Sequence, residues 1–353
     1  MDVRKSINTV GVLGGGQLGM FLCKESKKLN LKTIVLSEET NCSASKFCDE
    51  LVVGKFNDLN IIRKFIQKVD VVTIETENIP LKTLRFIEKK NNLKPSSKVV
   101  EIAQNRIKEK KFLNSLEEIT TTEFVEINHF KDLLTAFDKL GKKLLIKSSE
   151  FGYDGKNQFK IHIKNIKKFK NFNLKGFIAE KIVDFEKEIS VISFRDYKGN
   201  IEYLPPVHNV HKDNILKSTT YPPDISLETK RKAIEYTKRI TLKLNLIGIL
   251  AVEMFVLKNG EVIINELAPR PHNSGHWSLD CCKINQFENL LRAISEQKVL
   301  APKILSGGIM KNLIGKEYQK NIISKKNIKI YDYFKKTIKE KRKMGHVTYI
   351  KKL

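Results

Sequence analysis

Residues 253 to 266 run Glu-Met-Phe-Val-Leu-Lys-Asn-Gly-Glu-Val-Ile-Ile-Asn-Glu, two apolar stretches joined by Asn259-Gly260, and no other stretch narrows the possible folds so far. Asn-Gly between apolar runs is the strongest short hairpin signal, because both residues tolerate positive φ. A two-residue turn there pairs Lys258 with Glu261, and counting outward sets Glu253 opposite Glu266 unless a bulge intervenes. Directly opposed Cβ atoms lie roughly 4.5–5.5 Å apart, where like charges destabilise a sheet by up to about 1 kcal/mol. The spacing therefore predicts a cation between the two carboxylates. Oxygen-only ligands favour Mg²⁺, which keeps several waters and is usually completed by substrate phosphates.

Glu266 runs straight into Leu-Ala-Pro-Arg-Pro-His-Asn-Ser-Gly-His-Trp, positions 267 to 277. A solvated loop uses Gly, Ser, Asn and Asp for their backbone freedom, whereas Arg270, His272, His276 and the sole tryptophan offer anion binding, proton transfer and stacking. This density reads as a site.

At 353 residues the chain has room for two or three domains, since single cores stop growing near roughly 250–300 residues. No run of about 18 apolar residues occurs that could span a bilayer. Arg4-Lys5 leads into a Gly-rich turn rather than an apolar signal core, so a cytoplasmic protein without a membrane role is expected. Cysteines 23, 42, 48, 281 and 282 form no CxxC spacing, which favours buried thiols over disulfides or zinc. The net charge of +25 and pI near 9.7 raise nucleic-acid binding as a possibility. Lysines are scattered over nearly every segment, however, and the runs 164–170 and 325–329 lack the Gly-aromatic patterning that base stacking needs. No nucleic-acid partner is expected.

The start, Val10-Gly-Val-Leu-Gly-Gly-Gly-Gln-Leu-Gly19, reads as a buried strand entering a Gly-rich turn, with a helix and the strand 33–36 after it. Gly14-x-Gly16-x-x-Gly19 satisfies the dinucleotide fingerprint, and Glu38 or Glu39 lies near the ribose-binding position. The same glycines serve any α/β domain that needs a tight strand-to-helix turn. Residues 70–80 form a further buried strand ending in Glu75 and Glu77, at the carboxyl end where open parallel sheets bind ligands. Capping ahead of Pro80 accounts for one of the two. The stretch 91–97 reads as a loop into a second, α+β region with strands at 144–147, 176–180 and 188–194, helices at 228–243 and 284–297, and a β-rich tail from about 301.

Lys147 ends one of these strands, and a loop of small residues, 148–158, follows it. A Gly-containing flap after a strand lysine suggests nucleotide phosphates, although neither a GxxxxGK[ST] motif nor the kinase set is present. Glu180-Lys-Ile-Val183 offers backbone groups flanked by apolar side chains, as an adenine edge requires, with Glu188 on the next strand. Together with Glu253 and Glu266 these residues assemble an ATP site.

At this point the chain resembles the ATP-grasp superfamily and, within it, the N5-carboxyaminoimidazole ribonucleotide synthases. The matching blocks are GGGQLG at 14–19, Glu-x-Glu-Asn-x-Pro at 75–80, Gly-Tyr-Asp-Gly at 152–155, His-Asn-Val-His at 208–211, NELAPRPHNSGHW at 265–277 and RKMGH at 342–346. The resemblance implies a Rossmann-like α/β domain over 1–103, an ATP-grasp domain over 104–300 with a flap subdomain to about 178, and a small C-terminal β-rich domain over 301–353. It implies a ligase that uses ATP and Mg²⁺ to carboxylate 5-aminoimidazole ribonucleotide with bicarbonate through carboxyphosphate, and commonly a homodimer. Carried over by residue, Arg106, Lys147, the loop Gly152, Tyr153, Asp154, Gly155, Lys156, Asn157 and Gln158, then Glu180, Lys181, Ile182, Val183, Glu188, His211, Asn265 and Glu266 fall on nucleotide-binding positions. Glu253 and Glu266 match the metal ligands.

By the same resemblance Tyr153, Asp154, Arg270, His272 and His276 line the junction of bicarbonate and imidazole. Gln17, Leu18, Glu75, Asn273, Ser274, Lys335, Arg342 and Lys343 bind the ribonucleotide, the last three at its phosphate. Charge neutralisation in a water-excluding site fits two anionic substrates and a short-lived acyl phosphate. Arg270, always protonated and bidentate, is the natural anion clamp. Phe151 and Asn157 stand where the family usually has Gly, which stiffens the flap, and Ala268 stands where many other ATP-grasp enzymes put a metal-binding Asn. The rival readings are another ATP-grasp ligase with a different acceptor and a nicotinamide-binding oxidoreductase using Gly14 to Gly19.

Overall fold

A computed structural model describes residues 6–150, 158–318 and 324–353. Among these residues three sheets form. The first is parallel throughout, in the order Glu50–Val53, Lys32–Ser37, Thr9–Leu13, Val71–Ile74, Asn92–Leu93. Both faces are covered, Val10 and Val12 on one and Leu13, Ile34 and Ile74 on the other, which is why these strands read as continuous apolar runs. Strand order reverses between Thr9–Leu13 and Val71–Ile74, so their carboxyl ends open the crevice in which Gly14–Gly19 and Glu75–Asn78 meet. The stretch 91–97, expected as a loop, instead supplies the two-residue fifth strand and a helix, Ser97–Gln104, capped by Ser96. A strand this short carries no periodicity.

A four-stranded antiparallel sheet follows, in the order Phe124–Ile127, Phe177–Lys181, Lys143–Ser148, Gln158–His162. Helix Phe130–Leu140 turns Leu133, Ala136, Phe137 and Leu140 onto it, the i, i+3, i+4, i+7 stripe of an amphipathic helix. The largest sheet has eight strands, in the order Val262–Ala268, Gly248–Val256, Lys187–Arg195, Ile201–Lys212, Ile215–Tyr221, Gly307–Ile314, Lys343–Lys351, Ile328–Asp332. The β-rich tail thus continues the sheet that carries the hairpin. Helix Gln286–Ile294 packs against helix Gln17–Ser26, and Phe21 joins Trp277, Phe287 and Tyr333 in one shared core.

The hairpin departs from expectation in its turn and agrees in its outcome. Leu257 N–H donates to Glu261 O and Gly260 N–H to Leu257 O, both at 2.9 Å, so the loop holds three residues, Lys258 to Gly260, with Gly260 at φ +81°. Asn-Gly suits this loop as well as the two-residue one, since Gly takes its left-handed position. Pairing then runs Val256 with Val262 and Met254 with Ile264, one residue out of the expected register. A bulge at Asn265 restores it, and Glu253 faces Glu266.

Candidate active site

The three sheets enclose a cavity of about 960 Å³. Its floor comes from the hairpin strands, which present Glu253, Asn265 and Glu266, and from the segment after them, which presents Arg270, His272 and Asn273. The four-stranded sheet contributes Lys147, Gln158 and Glu180, followed by Lys181, Ile182 and Val183. Glu188, His211, Arg106 and Lys343 close the sides, and Gln17, Leu18 and Glu75 enter from the parallel domain. Gly152, Tyr153, Asp154, Gly155, Lys156 and Asn157, with Phe151, lie outside the described residues.

The electrostatics of the floor follow from placing two carboxylates together out of water. Burial and the neighbouring Glu266 push Glu253 up to about 7. Glu266 is held below the usual range because Arg106, 3.3 Å away, and Lys147 outweigh its burial. One member of the pair is therefore ionised while the other carries a proton near neutral pH, a frustration that a cation relieves. Among the described residues no group of three or more His, Cys, Asp or Glu gathers to hold a metal. Two carboxylates suit Mg²⁺, which takes few protein ligands and completes its shell with water and phosphate.

Lys147 and Glu180 sit on one face of adjacent strands and pair at 2.6 Å. His211 Nδ1 lies 2.5 Å from Glu188 Oε2, and although burial opposes the charged ring, this contact holds its pKa above the ordinary value. His272 is different, since burial and the Arg270 charge lower it to about 3. Its Nδ1 accepts from Ser274 N–H at 3.3 Å, so the neutral ring carries its proton on Nε2, 3.3 Å from Glu253 Oε1. Arg270 Nε donates to Glu77 Oε2 at 2.5 Å and Nη1 to Pro271 O at 2.9 Å.

Four of the expected residues do not line the cavity. Ser274 is buried below it, with Oγ 2.7 Å from Ser190 Oγ and 2.8 Å from His272 Nδ1. His276 is sealed behind it in a cluster with Phe21, Phe287, Tyr333 and His346, and burial keeps its ring neutral. Its Nδ1 accepts from Gln286 Nε2 at 3.0 Å. Lys335 donates to Lys343 O at 2.8 Å and acts on Glu75 through its charge, while Arg342 Nη1 reaches Thr337 O at 3.4 Å.

The Gly-rich turn holds a buried carboxyl group of the chain's own, whose pKa burial raises. Glu75 accepts from Gly16 N–H at 2.9 Å and Gly19 N–H at 3.1 Å, at the start of helix Gln17–Ser26. A Cβ on Gly14 or Gly16 would fall 2.5 Å or 2.7 Å from that side chain, and Gly14 has φ +109°. The fingerprint glycines thus make room for a carboxylate where a dinucleotide domain receives pyrophosphate, and Glu38 accepts from Phe56 N–H rather than facing a ribose. Sequence reasoning also passed over Glu109 and Lys110, both buried beside Arg106, Lys147 and Glu180. Charged neighbours on a helix read as a solvated face, and the adjacent Arg106 was their only flag.

Three family descriptions match in chain order: a ribonucleotide synthetase preATP-grasp domain over residues 7–104, an ATP-grasp domain over 112–287 and a phosphoribosylaminoimidazole carboxylase C-terminal domain over 308–352. The chain is 35% identical over 350 residues to the N5-carboxyaminoimidazole ribonucleotide synthase of Brucella melitensis, covering 98% of this chain and 96% of that one. It is 37% identical over 355 residues to the enzyme of the same name from Aquifex aeolicus, covering 97% and 92%. The chain belongs to the N5-carboxyaminoimidazole ribonucleotide synthase family. A solved member of this family in complex with ADP superposes with a TM-score of 0.93 at 33% identity, over 99% of this chain and 95% of that one. Another, from Aspergillus clavatus with ADP and 5-aminoimidazole ribonucleotide, superposes with a TM-score of 0.89 at 29% identity, over 98% and 94%. The preATP-grasp, ATP-grasp and C-terminal parts of the synthase family account for its three sheets, and the ATP-grasp part makes it a ligase that forms a carbon–nitrogen bond.

Proposed function

We propose that this chain joins bicarbonate to the exocyclic amine of 5-aminoimidazole ribonucleotide at the expense of ATP, with the groups around the 960 Å³ cavity. The bicarbonate oxygen attacks the γ-phosphorus, releasing ADP and forming carboxyphosphate. The amine nitrogen then attacks the carboxyl carbon, expels phosphate and loses a proton, giving the N5-carboxylate. The observation that carries this reading is the opposition of Glu253 and Glu266 beside Arg106 and the Lys147–Glu180 pair. Mg²⁺ held by those two carboxylates would neutralise charge on the transferring phosphoryl group.

In this reading Lys147 and Arg106 face the phosphates, and Glu180 to Val183 receive the adenine edge. Glu188 with His211 takes the ribose side of the cavity. Arg270, fixed by Glu77, clamps bicarbonate and the carboxyphosphate formed from it. Neutral His272 orients Glu253 by donation from Nε2, while Asn273 and Lys343 meet the ribonucleotide with Gln17, Leu18 and Glu75. Among the described residues no helix is long and apolar enough to cross a membrane, and a cytoplasmic homodimer completes the reading. Sizing chromatography tests the dimer.

The deciding experiment measures ADP release from Mg-ATP and bicarbonate, with and without 5-aminoimidazole ribonucleotide. Turnover is expected to rise with the ribonucleotide and to vanish in Glu266→Ala. Turnover indifferent to the ribonucleotide would leave an ATP-grasp ligase with another acceptor.

A further inference from the structure

Glu109 and Lys110 follow one another on helix Arg106–Asn114, and both are buried, at 2% and 1% exposure. Charged side chains are almost never so enclosed unless they are paired. Both reach the strand Val262–Ala268, which forms an outer edge of the eight-stranded sheet. An edge covered by other elements needs partners for its outward N–H and C=O groups. The segment 109–121 supplies them. Ile264 N–H donates to Thr120 O, and Thr121 Oγ1 donates to Ile264 O, both at 2.8 Å. Lys110 Nζ donates to Asn265 O at 3.0 Å and to Thr121 Oγ1 at 2.8 Å, and Leu267 N–H donates to Glu109 Oε1 at 2.6 Å.

These contacts straddle the bulge. Continued without it, the pairing of Met254 with Ile264 would set Asn265 opposite Glu253 and Glu266 opposite Val252. Side chains alternate between faces, so Glu266 would then point into the apolar core that holds Val252. The extra residue at 265 is what brings the second carboxylate to the cavity. A bulge disrupts the ladder locally, and Glu109 and Lys110 hold the backbone groups of Leu267 and Asn265 beside it from outside the sheet.

We infer that Glu109 and Lys110 are positioning residues: their bonds to Leu267 N–H and Asn265 C=O lock the Asn265 bulge and thereby keep Glu266 facing Glu253. The inference rests on reading that pair as the seat of a divalent cation. Lys110 also stands 3.8 Å from Glu180, which ties the bulge to the four-stranded sheet.

Calorimetric titration of Mn²⁺ into the full chain with ADP present tests this on Glu109→Leu, Lys110→Met, Glu109→Gln and Glu266→Ala. Loss of either brace is expected to weaken Mn²⁺ by about 10- to 100-fold, the usual cost of removing a group that orients a metal ligand. Glu109→Gln retains an oxygen that accepts from Leu267 N–H and is expected to bind Mn²⁺ as the unaltered chain does. A purely structural role would lower the melting temperature of Glu109→Leu while leaving its Mn²⁺ affinity intact, and that result overturns the inference. Mn²⁺ affinity unchanged in Glu266→Ala would instead remove the cation seat itself. Should Lys110→Met fail to fold, Thr121→Val loosens the same bulge by one hydroxyl, and unchanged Mn²⁺ binding there counts against the inference equally.

Discussion

Replacing Lys147 by Met removes the nearest partner, at 2.6 Å, of a carboxylate that is 2% exposed. Burial alone would raise Glu180, yet Lys147, Lys110 and Arg106 together bring it from 4.5 down to about 2. At about 1.36 kcal/mol per pH unit, that gap amounts to about 3 kcal/mol of stability. Because the folded value lies below the unfolded one, the contribution is present above pH 4.5 and is lost as pH falls toward 2. Breaking a buried pair from one side typically costs about 3–5 kcal/mol, which agrees. Lys147→Met is therefore expected to lower stability by up to about 3 kcal/mol at pH 7, with Lys110 and Arg106 retaining part of it, and by less toward pH 5 as Glu180 takes up a proton. The double variant with Glu180→Gln should recover about 1–2 kcal/mol relative to the single one, since the under-compensated buried charge is gone. Urea midpoints followed by fluorescence of Trp277, buried and stacked on Tyr221 at 4.6 Å, report all four proteins. If the two substitutions add without coupling and the loss ignores pH, the ion-pair account of Lys147 is wrong.

Other outcomes follow from the same geometry. Glu75→Gln places an amide against Gly16 N–H or Gly19 N–H and should cost about 1–3 kcal/mol in a thermal melt; an unchanged melt would mean that water serves those donors equally well. Glu77→Gln frees Arg270 from its 2.5 Å partner and should lower kcat/KM about tenfold, roughly 1.4 kcal/mol of lost orientation, in a coupled ADP assay that varies bicarbonate. Since burial and Glu266 hold Glu253 near 7, Mg-ADP binding should release a proton and tighten as pH rises from about 6 to 8. Heats measured at pH 7 that do not vary with the buffer's ionisation enthalpy would contradict this.

Much of the cavity is visible in local patterns. The Asn259-Gly260 turn and the density of functional side chains from Arg270 to Trp277 point to the floor, and Gly14 to Gly19 point to the crevice of the parallel sheet. Each of these signals is carried by residues close together in the chain. What stayed hidden depends on contacts made at a distance. The three-residue loop and the Asn265 bulge shift the register in opposite directions, so counting outward reached the right pair through the wrong ladder. His276 and His272 share one motif, and only the packing of Phe21, Tyr333 and His346 decides that one is enclosed while the other meets the cavity. Glu109 and Lys110 were illegible because their partners lie more than 150 residues further on.

The core shared by Phe21, Trp277, Tyr333 and Met310 also constrains how the chain is made. Phe21 sits on a helix whose apolar side is covered by residues synthesised some three hundred positions later, among them His346 on strand Lys343–Lys351. At a synthesis rate of about 5–20 residues per second, that face waits tens of seconds for its cover. The parallel sheet is able to pair its own strands in that interval, but helix Gln17–Ser26 remains sticky until strand Lys343–Lys351 arrives. Contacts of such long sequence separation fold slowly. A ribosome stalled before strand Lys343–Lys351 would therefore hold most of the cavity on an unfinished core, a species suited to chaperone capture rather than to catalysis.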